Sequence, residues 1–269
     1  MSCSESAERF RKRLAGVVAG AAATLLLIVP TATARPDGAP RAVTALTPAP
    51  PVEIMVVGAG NVVLSGPRGI STAAINISVG PRACAVAAAT PLAALTDLHR
   101  VGGPSFALRD YGHCTSSPRD SGQLFVYSLD GQTNHGQNGW EYKVNSRSGT
   151  TGAGDTSGPQ GNGRLLTGGS RVLWFWCQAV AGGCQRTLEV NAPKVAPRGG
   201  SVVLRVTGYD NEGRGAPMSG ARVTLGSDSG VTGASGQVTL KAPAGSGFYG
   251  VRATRPGSVP SFPQLLQVR

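Results

Sequence analysis

The chain has 269 residues, with 25 basic and 14 acidic side chains and a formal charge of +11. Aromatics make up only 5% of it and glycine contributes 39 residues, a texture of short strands and turns rather than long helices. The arginines are scattered rather than clustered and accompany no nucleic-acid motif, so the charge reads as solvated surface and argues against a nucleic-acid partner.

Taken in chain order, Arg9, Arg11, Lys12 and Arg13 form a basic start and Leu14 to Val29 an uncharged apolar run of 16 residues. That run is short of the ~20 residues that span a bilayer. Ala32-Thr33-Ala34 supplies a small-residue cleavage site. Residues 1–34 are therefore expected to be a signal peptide, leaving a secreted chain with no stable membrane insertion. Processing leaves a charge of +9. Arginine outnumbers lysine 21 to 4 amid abundant Gly and Ala, as a GC-rich bacterial genome supplies. Residues 35–51, rich in Pro, Ala and Thr, read as an extended linker.

From Val52 the pattern turns to strands, with Val52 to Val57, Val62 to Leu64 and an alternating Ile75, Ile77, Val79. Gly58-Ala59-Gly60-Asn61 lacks the third glycine of a dinucleotide fingerprint, because position 63 is Val63, and reads as a tight turn. One helix is expected to open at Thr90-Pro91, carry Leu92, Leu95 and Leu98 on one stripe, and stop at Gly102-Gly103. Strands resume over 105–109, 124–129, 140–145 and 171–177, with a turn at Asp130-Gly131. The glycine-rich segment 149–163 lacks a phosphate-loop ending and reads as a flexible surface loop. Beyond a boundary at Ala192-Pro193, five short strands without a helix predict a β-sandwich over 193–269.

Four cysteines, Cys84, Cys114, Cys177 and Cys184, remain in the exported part. An even count in such a chain points to disulfides, and no paired short spacing suits a metal. Cys177 and Cys184 flank a turn-like segment and are the preferred pair, leaving Cys84 with Cys114. The only histidines are His99, His113 and His135, and no hydrolase or metalloprotease motif surrounds them. Asp110 and His113 with a serine would meet only by accident of folding, so no enzyme and no cofactor is expected.

All three tryptophans fall in Gly139-Trp140-Glu141-Tyr142-Lys143-Val144-Asn145 and Arg171-Val172-Leu173-Trp174-Phe175-Trp176-Cys177. Alternation puts Trp140 with Tyr142 on one face, and Trp174 with Trp176 on the face opposite Phe175. One aromatic set is expected in the core. The other must be covered by a loop, the neighbouring domain or a ligand.

The helix with Ala94-Leu95, then Tyr127-Ser128-Leu129-Asp130-Gly131 and the Trp140 strand, resemble the transcobalamin-like C-terminal domain family over 52–192. The resemblance implies a β-grasp-like domain with one helix, so the fold class expected is mostly β with an α+β first domain. Ser146 stands where family members usually have glycine after the Asn, and the helical barrel of the animal cobalamin carriers has no counterpart. Residues 220–225 and 232–240 resemble bacterial Ig-like or carboxypeptidase-regulatory-like modules. The combined expectation is an exported, non-catalytic binding or surface-interaction protein. Trp140, Tyr142, Trp174 and Trp176 are its candidate stacking residues and Asn145 a polar contact. The expected partner is a small molecule (a corrinoid or glycan) or a cell-envelope polymer.

Overall fold

At the centre of residues 49–269, the part that the computed structural model describes, runs β1 (Val52–Val57), buried at every position but one. After it come β2 (Val63–Ile70), β3 (Ile75–Val79), β4 (Arg82–Val86), the helix α1 (Pro91–Arg100), β5 (Phe106–Asp110), β6 (Leu124–Leu129) and β7 (Gln132–Thr133). The first half closes with β8 (Gly139–Val144), β9 (Arg147–Ser148), β10 (Arg171–Cys177), β11 (Ala179–Val180) and β12 (Gly183–Cys184). The expected leader and nearly all of the 35–51 linker lie outside the described residues.

The main sheet has the order β2-β1-β10-β8-β9, with β1 and β10 parallel and β10 and β8 antiparallel. A parallel pair is normally covered on both faces, which matches the near-continuous apolar runs of β1 and β10. One face carries Ile54, Val56, Val172, Trp174 and Trp176 against α1 and the hairpins β3-β4 and β5-β6. The other carries Met55, Val57, Leu173, Phe175 and Cys177.

The helix forms where the sequence places it. Thr90 Oγ1 accepts from the Ala93 N–H at 3.2 Å, Pro91 takes the first turn, and Leu92, Leu95 and Leu98 are fully buried. It ends as Gly103 N–H returns to Leu98 O, with Gly102 at φ +85°.

The second half contains β13 (Thr187–Asn191), β14 (Val195–Ala196), β15 (Ser201–Tyr209), β16 (Gly215–Pro217), β17 (Arg222–Leu225), β18 (Asp228–Val231), β19 (Gln237–Lys241), β20 (Gly247–Thr254) and β21 (Gln264–Val268). One sheet is built on β15, which pairs β13 and β19 on its two sides and also β16; the other has the order β14-β21-β20-β17-β18. Alternate residues such as Leu204, Val206, Val223, Leu225, Val251 and Leu266 fill one core between the two sheets. Strand β13, which precedes the expected boundary at 192–193, pairs with β15 through its whole length. The described chain is thus mostly β, with one α-helix among the described residues.

The glycine-rich segment 149–163 is a correction to the sequence reading, because it is packed rather than flexible. Ala153 O accepts from Leu92 N–H at the start of α1, Gly154 O accepts from Ser121 Oγ, and Ala153, Gly154, Gly158 and Pro159 are buried. Its glycines serve close approach: a Cβ on Gly152 would lie 1.9 Å from Gly122 O.

Candidate functional site

The register of β8 on β10 decides where the expected stacking residues go. Trp174 pairs with Tyr142 and Trp176 with Trp140, so all four rings project from one face into the first core. Trp140 meets Trp176 edge-on at 5.7 Å, and Tyr142 meets Trp174 at 5.4 Å. Trp140 Nε1 donates to Gln132 O at 2.7 Å, and the Tyr142 hydroxyl donates to Thr151 O at 2.9 Å. Burial pushes the Tyr142 phenol up to about 12. Trp174 Nε1 is buried without a hydrogen-bond partner. None of the four rings presents an open face, since each is buried.

Asn145 is exposed and sits in a two-residue turn between β8 and β9, where Asn145 and Ser146 have φ of 48° and 70°. Its Oδ1 accepts from Arg171 N–H at 2.9 Å and its own N–H donates to Arg171 O, which closes the β8–β10 ladder. A hairpin turn of this kind needs positive φ at both central residues. Ser146 therefore occupies a left-handed position that suits glycine.

The second face of β10 is covered by the sandwich. Val259 and Phe262 pack on Phe175, Leu173 and Met55, together with Cys184. Two charged side chains of β8 share this face with Phe175. Lys143 is only 1% exposed, and its ammonium donates to Asp210 O at 2.7 Å, Thr187 Oγ1 at 3.2 Å and Tyr209 O at 3.3 Å. Burial draws Lys143 down to about 8, with Asp210 and Glu212 opposing and Arg186 adding to the shift. Glu141, opposite Phe175, is pushed up to about 7 by burial. Alternation along β8 puts both on the face opposite Trp140 and Tyr142.

Both disulfides are present: Cys84–Cys114 with Cα atoms 5.3 Å apart and Cys177–Cys184 at 5.1 Å. The first ties β4 to the segment after β5, and the second closes the β11–β12 hairpin. Asp110 lies beside the first bridge, the one place among the described residues where three potential metal-ligating groups gather. Its sulfurs are joined to each other, which removes the thiolates that a metal would need. Desolvation would raise Asp110, but the Cys114 and Gly112 N–H groups and Arg82 outweigh it and hold the carboxyl below its ordinary value. Asp110 is thus engaged by backbone and by an ion pair with Arg82 at 3.0 Å. His113 is exposed at φ 57°.

Aromatic surface remains elsewhere on the first half. On β6, Leu124 and Val126 face the core, so Phe125 and Tyr127 face outward; on β5 the cross-strand partner of Phe125 is Arg109. Tyr111 extends this face, being 63% exposed, and its ring lies 6.1 Å from that of Phe125, itself 42% exposed, at 51°. The Arg109 guanidinium lies 4.7 Å from the centre of the Tyr127 ring and joins no ion pair among the described residues. The signal for this strip was the alternation over 124–127, which puts Phe125 and Tyr127 out of phase with Leu124 and Val126; the bulge that follows returns Leu129 to the core. Compared with known protein families, curated proteins and solved structures, the chain gives no match.

Proposed function

We propose that this is an exported, non-catalytic binding protein that attaches to a cell-envelope polymer through the outward face of β5 and β6. The observation that carries this reading is the strip Tyr111, Phe125, Tyr127 and Arg109, which gathers three aromatic rings and a guanidinium on one outward face of the first half. In this reading the first half is a transcobalamin-like β-grasp domain and the second an Ig-like spacer, fixed to it by the Phe175–Val259 contact. Two disulfides suit an oxidising compartment outside the cytoplasm. A corrinoid carrier is less favoured: an open groove of about 580 Å³ is lined mainly by Leu64–Arg68, Gly102–Ser105 and Asp130, without an aromatic side chain to stack on a macrocycle.

The test is co-sedimentation of the full chain with purified cell-wall material. A Tyr111→Ser, Phe125→Ser double variant should stay in the supernatant while melting at the wild-type temperature, since both side chains are exposed. Sedimentation equal to wild type would refute the reading.

A further inference from the structure

We infer that the strip on β5 and β6 takes an anionic polysaccharide chain, with sugar faces stacked on Tyr111 and Phe125 and an acidic substituent held by Arg109. The inference rests on the proposed reading of this strip as the binding face, and adds the chemistry of the ligand.

Three features of the strip select that chemistry. The first is charge. Arg109 is exposed, is steadied by its stack on Tyr127, and joins no ion pair among the described residues. A guanidinium stacked on a ring keeps its edge N–H groups free for a carboxylate or phosphate. The adjacent carboxylate, Asp110, is turned to Arg82 and to the Gly112 and Cys114 N–H groups, so it does not neutralise Arg109.

Ring geometry is the second. Tyr111 and Phe125 are inclined at 51° rather than coplanar. Such a seat follows a single twisted chain and cannot lie flush on the flat face of a crystalline polymer. A lipid headgroup offers the same charge, but Phe125 is paired with Arg109 within the hairpin, Tyr127 sits at the bulge inside β6, and Tyr111 directly follows β5. They do not project from a loop tip as an inserting wedge would.

The third feature is length. The register Phe106↔Leu129 puts Ser105 and Asp130 at the end of the hairpin opposite Tyr111, where they line the open groove shared with Arg68. At roughly 3.3 Å per residue, the five residues of β5 span about 17 Å. A polymer covers that distance, and a single sugar does not. Arg68, exposed and with one Nη1 bond to Val101 O, supplies a second cation at the far end, beside the acidic Asp130.

The experiment titrates the full chain with polygalacturonate, with its fully methyl-esterified form, and with phosphatidylglycerol vesicles, by calorimetry at neutral pH. The acid polymer should bind, and the uncharged ester should bind about tenfold more weakly, the loss expected for one charge-assisted contact. Arg109→Gln should weaken the acid polymer about tenfold and leave the ester unchanged. The Tyr111→Ser, Phe125→Ser variant should lose both polymers. Equal affinity for acid and ester, or an Arg109→Gln variant that binds like wild type, overturns the anionic assignment while leaving the binding face intact. Binding to vesicles alone overturns the polysaccharide. Binding to none of the three, with cell-wall sedimentation retained and dependent on Tyr111 and Phe125, overturns this inference alone. Loss of that dependence removes the underlying reading as well.

Discussion

Lowering or raising the pH should change the stability of this protein through two side chains of β8, Glu141 and Lys143, at the seam between its halves. Burial raises Glu141 from 4.5 to about 7, so the native state holds a proton that the unfolded chain has released. Stability from this group is complete below pH 4.5 and is lost as pH rises to 7. At about 1.4 kcal/mol per pKa unit, the loss across that window is about 3 kcal/mol. Lys143 works in the other direction. Its pKa falls from 10.5 to about 8, so above pH 8 the native state sheds a proton that the unfolded chain keeps, and stability rises with pH. Tyr142, raised from 10 to about 12, favours the protonated native state and reverses that rise above pH 10. Between pH 8 and 10 the gain from Lys143 is on the order of 2–3 kcal/mol. The expected profile therefore has a minimum near pH 7–8. Urea unfolding at a series of pH values, with disulfides intact, measures it. Glu141→Gln should flatten the acid limb, and Lys143→Met the alkaline one. If Glu141→Gln keeps the slope between pH 4.5 and 7, the carboxyl is not held in the apolar seam and the reasoning fails.

Two further substitution experiments probe the aromatic core and the packed glycine segment. Trp140→Phe removes a donor from Gln132 O at 2.7 Å, whereas Trp174→Phe removes a buried N–H that has no partner. Trp140→Phe should cost about 2 kcal/mol more than Trp174→Phe in urea unfolding; equal costs would contradict the assigned hydrogen bond. Gly152→Ala should destabilise by more than about 3 kcal/mol, because its Cβ would meet Gly122 O at 1.9 Å. A mild effect would show that the 149–163 segment is free to move.

Local order was widely legible in the chain. Thr90-Pro91 announced the helix through its capping hydroxyl and its fixed φ, and the described helix begins there. Strands 124–129 and 171–177 were legible to the residue, because apolar and β-branched runs between turn residues leave little freedom. Thr187–Asn191, ahead of the expected boundary at 192–193, carried no strand signal in the sequence reading, and its pairing with β15 is what joins it to the second half.

What the sequence by itself determined is the one helix, the longer strands and the demand that both faces of Trp174-Phe175-Trp176 be covered, since alternation puts large rings on each side. Tertiary structure decided what covers them. The register of β10 on β8 gathers Trp140, Tyr142, Trp174 and Trp176 in one core, and the sandwich closes over Phe175. It also buried Lys143, because its three acceptors come from residues 44 to 67 positions away. Pairing register and domain docking depend on contacts between distant segments, and a local pattern of residues carries no record of them.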